Sequence, residues 1–167
     1  VLKEGTIFRT AGLISDWRIV RIVLAGLERQ GCMPEQIVVN DSDQDVFSAL
    51  KSEFPEITAV EIESRHPAAC NVILLAVRPT ACVAVLADLK GMLRPQAMLV
   101  SLAPKITISK ISDALDGSNR IVLMIPGALS IVNKGYNPTA FSGGFIPPGG
   151  GGDTILLQSP RRMPRGG

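Results

Sequence analysis

A run of apolar residues at the centre of the chain predicts a strand that is covered on both of its faces. Residues 72–77 read V-I-L-L-A-V, without the polar alternation of a half-exposed strand. Such runs are typical of parallel sheets, where crossover helices pack on both sides. Arg78 and Pro79 follow, and proline cannot donate to a ladder, so the strand is predicted to end there.

The segment after this strand has the periodicity of a helix. Its apolar residues recur at helical spacing over residues 80–93, at Val83, Val85, Leu86, Leu89 and Leu93. A strand, a polar exit and a helix form one βα unit. Ligands of open α/β sheets bind just beyond the carboxyl ends of the strands, which makes residues 76–79 a predicted binding rim.

The same alternation of short apolar runs and amphipathic segments extends over most of the chain. Further strands are predicted over residues 5–14, 36–40, 57–62, 97–102 and 120–125. Further helices are predicted over residues 16–29, 42–54 and 106–115, the last with Thr107 or Ser109 near its start. This order predicts an α/β fold, a doubly wound parallel sheet of the Rossmann-like type with helices on both faces.

The carboxyl-terminal part of the chain has a different composition. Residues 142–152 include six glycines and two prolines, and only residues 154–158, T-I-L-L-Q, interrupt the irregular pattern beyond them. We therefore predict one Rossmann-like domain over residues 1–141 and a Gly/Pro-rich irregular tail over residues 142–167.

Composition narrows the classes of partner and of chemistry. A net charge of +2 and a single tryptophan argue against a nucleic-acid partner. No apolar run approaches the length of about 18 residues that spans a membrane. The three cysteines, Cys32, Cys70 and Cys82, form no paired motif, so we expect core packing, no metal site and a cytoplasmic location. His66, the single histidine, is interpreted as a solvated loop residue.

A doubly wound sheet invites a search for the glycine-rich phosphate loop. In the expected place residues 10–15 read T-A-G-L-I-S, with one glycine, and a plain turn that caps a helix explains this segment as well as a phosphate cradle does. Asp41 follows the second strand, where a carboxylate would bind ribose hydroxyls or act as a helix cap. Asn40 and Ser42 would equally accommodate a 2′-phosphate, so the choice between NADH and NADPH stays open.

Three ordered segments resemble pyrroline-5-carboxylate reductases and related NADP oxidoreductases, including the deazaflavin-dependent NADP reductases. They are L-L-A-V-R-P at 74–79, L-V-S-L-A-P-K-I at 99–106 and R-I-V-L-M-I-P-G-A at 120–128. The resemblance extends over roughly residues 5–140. It implies an NADP or NAD cofactor and hydride transfer from NAD(P)H to a cyclic imine or a similar small substrate.

Site residues follow from the resemblance by position. It implies that the pyrophosphate is faced by Ala11, Gly12 and Leu13, and that the adenosine ribose is met by Asn40, Asp41 and Ser42. It implies that the dinucleotide is lined by Ala76, Val77, Arg78 and Pro79, and its nicotinamide end by Ser101 and Ala103. Pro126 corresponds to a proline of the family motif.

The chain also departs from the family pattern. Gly127 replaces an asparagine and Leu123 an arginine, and the family's second domain, which forms the dimer and engages the substrate, lies outside this sequence. We therefore expect the chain alone to be inactive, and no catalytic residue is assigned. The expected partners are a small-molecule substrate and either a second copy or a missing partner domain. The alternatives are a non-catalytic Rossmann-like interaction module and a fragment that exposes apolar surface.

Overall fold

Strand β3, Val72–Ala76, lies in the middle of the sheet, and all five of its residues are buried. Val72 and Leu74 pack into one hydrophobic cluster, whereas Ile73 and Leu75 pack into another on the opposite face. The strand is thus covered on both faces, as its uninterrupted apolar sequence predicts.

The computed structural model describes eleven helices and strands. The described residues are 9–15, 17–29, 31, 33–40, 44–55, 65–103, 105–118, 120–125 and 139–142. In chain order the elements are β1 Thr10–Ser15, α1 Trp17–Arg29, β2 Gln36–Asn40, α2 Gln44–Glu53, α3 Arg65–Ala68, β3 Val72–Ala76, α4 Pro79–Leu89, β4 Met98–Ser101, α5 Ile108–Ala114, β5 Ile121–Met124 and β6 Thr139–Phe141.

The strands form one six-stranded sheet with the order β2-β1-β3-β4-β5-β6. The first five strands are parallel, and the order of the strands reverses between β1 and β3: β2 lies on the far side of β1, whereas β4 and β5 follow β3 on the other side. The predicted doubly wound, Rossmann-like α/β fold is therefore confirmed. Strand β6 was not predicted and pairs antiparallel to β5, with Val122 opposite Phe141.

Helices cover the two faces of the sheet in separate layers. The first layer, which contains α1 and α2, buries Val23, Leu24 and Leu50 against the sheet. The second layer, which contains α3, α4 and α5, buries Leu86 and Ile111 against the opposite face. This division of the apolar residues is what right-handed crossovers on a twisted parallel sheet produce.

Two predicted elements differ from the observed ones. The first strand was predicted over residues 5–14, but β1 extends over Thr10–Ser15 and residues 5–8 lie outside the described residues, as does the predicted strand over 57–62. His66, interpreted as a loop residue, belongs to the backbone of the short helix α3. Pro67 does not prevent this helix, because a first turn has no partner for the missing N–H.

The ends of the helices follow local chemistry. The Thr107 hydroxyl accepts a hydrogen bond from the backbone N–H of Lys110 and so caps α5, which makes Thr107, of the two residues expected near the helix start, the one that caps it. Pro79 occupies the start of α4, where its fixed φ suits a helix. Gly31, at φ 65°, follows α1 and donates its N–H to the Glu28 carbonyl. None of the described helices is long and apolar enough to cross a membrane.

Ser142 binds the end of β6 to β5. Its backbone N–H donates to the Ile121 carbonyl at 2.9 Å, and its hydroxyl accepts from the Ile121 N–H at 3.1 Å. Ser142 is buried, so the first residue of the predicted tail belongs to the sheet region, while residues 143–167 lie outside the described residues. Cys70 and Cys82 are buried, as predicted, and Cys32 is outside the described part.

Candidate nucleotide-binding site

The carboxyl ends of β1, β3 and β4 lie side by side at one edge of the sheet. Ser15 is opposite Ala76 in the pairing of β1 with β3, and Leu75 is opposite Ser101 in the pairing of β3 with β4. We call this edge, with the residues that follow these strands, the carboxyl rim. It is the edge at which ligands of open α/β sheets bind.

The exit of β3 supplies the exposed part of the carboxyl rim. Ala76 is buried with 1% of its surface exposed, Val77 is half-buried, and Arg78 and Pro79 are exposed. Arg78 has an extended backbone and precedes Pro79, the first residue of α4. The predicted dinucleotide-lining segment is thus brought to the rim, and its Arg78 side chain is the one that offers a positive charge.

Ser101 and Ala103 lie below the surface of the rim. Ser101 ends β4, is fully buried at 0% exposure, and its Oγ atom has no hydrogen-bond partner. Ala103 is buried at 1% exposure. A buried hydroxyl without a partner costs about 1–3 kcal/mol, so Ser101 lowers the free energy of unfolding at the end of this strand. The sequence marked this residue only through its motif and not through its burial.

The predicted phosphate-binding residues lie inside a strand. Ala11 is 3% exposed, Leu13 is 0% exposed, and both belong with Gly12 to the interior of β1. A β-carbon at Gly12 would lie 2.4 Å from the carbonyl oxygen of Pro67, so the missing side chain makes room for α3. The prediction that Ala11, Gly12 and Leu13 lie in a loop is therefore corrected. They belong to β1, where Gly12 allows α3 to pack closely against the strand.

The junction between β1 and α1 is short and contains no glycine. Strand β1 ends at Ser15 and α1 begins at Trp17. Every residue from Leu13 to Ala25 carries a side chain. In the first turns of α1, Arg18 is exposed and Val20 is buried at 1% exposure.

The remaining predicted contacts are described only in part. Asn40 ends β2 and pairs with Ile14, whereas Asp41 and Ser42 lie outside the described residues. Pro126 is also outside them, and Ile125, which precedes it, is 51% exposed just after β5. The structure therefore places β2 and β5 at the rim without describing these three side chains.

The described residues hold no activated thiol and no metal site. Burial raises the pKa of the Cys82 thiol, and it also raises that of Cys70 against the smaller lowering effects of a Thr10 hydrogen bond and of Arg94. No group of three or more metal-binding side chains occurs among the described residues. Neither cysteine is suited to nucleophilic chemistry.

The comparisons with known proteins agree on the fold and on the family. The model of the family described as NADP oxidoreductase coenzyme F420-dependent matches residues 12–105, which extend from within β1 to beyond the end of β4. The pyrroline-5-carboxylate reductase of Escherichia coli is 28% identical over 125 residues, which cover 74% of this chain and 46% of that enzyme. The chain thus spans about half the length of the curated relatives it matches.

Solved structures give the same result. A pyrroline-5-carboxylate reductase from Coxiella burnetii superposes with a TM-score of 0.69 at 26% identity, over 81% of this chain and 49% of that protein. The NADP-bound pyrroline carboxylate reductase of Plasmodium falciparum has a TM-score of 0.68 at 16% identity, over 86% of this chain and 52% of that one, and shows the shared fold. The chain belongs to the NADP oxidoreductase, coenzyme F420-dependent, family and is similar to pyrroline-5-carboxylate reductases over about half of their length.

Proposed function

We propose that this chain is the nucleotide-binding domain of an oxidoreductase that resembles pyrroline-5-carboxylate reductase, with NADP or NAD as its cofactor. The observation that carries the proposal is the family match over residues 12–105, which includes the carboxyl ends of the strands β1, β3 and β4 that define the carboxyl rim. The similarity to pyrroline-5-carboxylate reductases supports the cofactor class and a small substrate.

The chain's own residues have a limited part in this function. Arg78 supplies a cation beside the rim, and Val77 and Pro79 supply apolar surface for a ring or a ribose. Asn40, Asp41 and Ser42 would contact the adenosine ribose, and Ser101, Ala103 and Pro126 the nicotinamide end. The cofactor, when bound, supplies the hydride. The exits of β3 and β4 suit such a ligand, whereas the β1–α1 junction does not suit a pyrophosphate.

Turnover requires an acid–base group close to the cofactor. The residues described after β3, β4 and β5 at the rim (77–80, 102–103, 105–107 and 125) include no carboxyl and no imidazole group. Reduction of an imine needs a substrate fixed at reacting distance from the cofactor and a source of a proton. We propose that the parent enzyme reduces a cyclic imine, and that the substrate half comes from a further domain or a second copy.

Titration of the purified chain with NADPH and NADH by calorimetry tests the cofactor assignment. The matched variants are Arg78→Glu at the rim and Lys51→Glu in the last turn of α2, at the far end of the helix that follows β2; both change the charge equally. We expect Arg78→Glu to weaken binding about tenfold and Lys51→Glu to leave it within about twofold, since charges beyond about 10 Å are screened. Tighter binding of NADH than of NADPH would support Asp41 as the ribose contact.

One observation favours a second candidate, a non-catalytic Rossmann-like module. The chain has no glycine between Leu13 and Ala25, where dinucleotide-binding relatives of this fold class hold the pyrophosphate. Under this alternative the chain binds neither NADPH nor NADH at millimolar concentration, although it stays folded. The same titration, with circular dichroism as the control for folding, separates the two candidates.

A further inference from the structure

In this fold class the first βα turn makes the strongest contacts with a dinucleotide. Its three glycines have separate purposes: the first allows a tight turn, the second lets the backbone approach the pyrophosphate, and the third brings the helix close to the strand. The free N–H groups and positive dipole of the helix then face the phosphates. The residues at this turn therefore decide how much the pyrophosphate adds to the affinity.

None of the three glycines is present in this chain. The turn lies between Ser15, which ends β1, and Trp17, which begins α1. If the six-residue motif begins at the end of the strand, its glycine positions are Ser15, Trp17 and Val20. Other registers of the motif also place no glycine at the turn, because every residue from Leu13 to Ala25 has a β-carbon.

The contact of the helix with the strand confirms the difference at the third position. Val20 is 1% exposed and belongs to the same apolar cluster as Leu13 of β1 and Val23 of α1. A valine side chain therefore fills space where the motif leaves room for direct contact of the backbones. The helix is packed on the sheet by side chains, as an ordinary amphipathic helix is.

The neighbouring glycines cannot replace the missing ones. Gly12 lies inside β1, and its open side faces the Pro67 carbonyl of α3 rather than the rim. Gly26 lies in the second half of α1 and is buried. Neither is at the helix start, where the N–H groups of a phosphate cradle have to be.

We infer that the β1–α1 junction of this chain does not bind a pyrophosphate, so that a dinucleotide binds this chain no more tightly than its adenosine half alone does. The inference rests on the proposed function, because it concerns the same rim. It assigns whatever affinity exists to the exits of β2 and β3, and it implies that the nicotinamide contacts at the exit of β4 add little to that affinity. The ligand class that fits this site is then a nucleoside phosphate in general rather than a dinucleotide in particular.

The test compares NADPH with adenosine 2′,5′-bisphosphate, the adenosine half of NADPH, by calorimetry. For the unaltered chain we expect the two dissociation constants to agree within about threefold. The double variant Ser15→Gly with Trp17→Gly removes two β-carbons from the turn and leaves buried Val20 in place. We expect it to bind NADPH at least about tenfold more tightly, with a smaller gain for the adenosine half, which carries only one of the two phosphates of the pyrophosphate.

The matched control is Ser15→Ala with Trp17→Ala, which shortens the same side chains but keeps their β-carbons. It is expected to behave as the unaltered chain does, and circular dichroism checks that all three proteins are folded. Tightening of NADPH binding by the alanine pair as much as by the glycine pair overturns the inference.

A preference of the unaltered chain for NADPH over the adenosine half of more than about thirtyfold overturns the inference and leaves the proposed function standing. This comparison needs no variant, so it holds even if the glycine pair fails to fold. Absence of binding of both ligands to both folded proteins overturns the proposed function and the inference together. Binding of NADPH by the glycine pair alone supports the inference and overturns the proposed function for the unaltered chain.

Discussion

The α-carbon of Gly12 in β1 faces the carbonyl oxygen of Pro67 in α3, and a β-carbon at residue 12 would lie 2.4 Å from that oxygen. This contact joins a central strand to the second helical layer through backbone atoms alone. Because backbone cannot turn aside as a flexible side chain can, the contact restricts residue 12 to glycine.

We therefore expect Gly12→Ala to lower the free energy of unfolding by at least about 1–3 kcal/mol, the usual effect of overpacking a core. Gly91→Ala is the matched control: it is strained by its φ of 73° but meets no atom within 4 Å, and about 1 kcal/mol is expected. Urea denaturation of both variants measures the difference. Equal losses, or a larger loss for Gly91→Ala, would contradict this role of Gly12.

Two buried serines should respond oppositely to the same substitution. Ser101 Oγ has no hydrogen-bond partner, whereas Ser142 Oγ accepts from the Ile121 N–H at 3.1 Å. Ser101→Ala removes an unsatisfied group and is expected to leave the free energy of unfolding unchanged or to raise it by about 1 kcal/mol. Ser142→Ala leaves the buried Ile121 N–H without its hydroxyl acceptor and is expected to lower the free energy of unfolding by about 1–3 kcal/mol. A loss for Ser101→Ala as large as that for Ser142→Ala would show that the Ser101 hydroxyl is bonded.

The cap of α5 gives a third prediction. Thr107 Oγ1 accepts the Lys110 N–H at 3.3 Å, and Thr107→Ala removes this acceptor. The expected loss is about 1 kcal/mol of unfolding free energy, typical of an N-cap. Thr107→Ser keeps the hydroxyl and should stay within a few tenths of a kcal/mol of the unaltered chain. Thermal unfolding of the three proteins gives the order, and a loss for the serine variant equal to that for alanine would refute the cap.

The buried thiols give the stability of the chain a defined dependence on alkaline pH. Burial raises the pKa of Cys82 above its ordinary value of 9.0. As pH rises past that value the unfolded chain releases the thiol proton while the folded chain retains it, so stability is full at neutral pH and falls with rising pH. The slope per thiol is at most about 1.4 kcal/mol per pH unit.

Urea denaturation between neutral pH and a pH above 9.0 tests this dependence in the unaltered chain and in Cys82→Ala. Cys70 is present in both proteins, so the difference between their slopes belongs to Cys82. We expect the smaller alkaline loss in Cys82→Ala, although its stability at neutral pH is lower because of the cavity. Parallel slopes would mean that Cys82 ionises equally in the folded and unfolded chains.

The central strands were predictable because their sequences admit one interpretation. Five consecutive apolar residues in β3 and the apolar β4 belong to a sheet covered on both faces, and Thr107 caps α5 through a local hydrogen bond. The position of β2 was likewise predicted over residues 36–40. In each case the deciding interactions are local or follow from the apolar pattern alone.

The meaning of Gly12 could not be read from its neighbours in sequence. A glycine after a short apolar run suggests a phosphate loop, but its purpose depends on Pro67, which is remote along the chain. Strand β6 was missed for a related reason. Its three residues have too little local pattern, and its position is held by the two hydrogen bonds between Ser142 and Ile121.

The antiparallel direction of β6 fixes where the polypeptide leaves the sheet. Ser142 is hydrogen-bonded to Ile121, the first residue of β5, so the backbone leaves the sheet at the edge opposite the carboxyl rim. Strand β5 has four residues and is about 13 Å long at 3.3 Å per residue. A polypeptide that connects Ser142 to a substrate-binding unit at the carboxyl rim would have to run back along the domain for at least that length. The length of this connection therefore limits how any two-domain parent can be built.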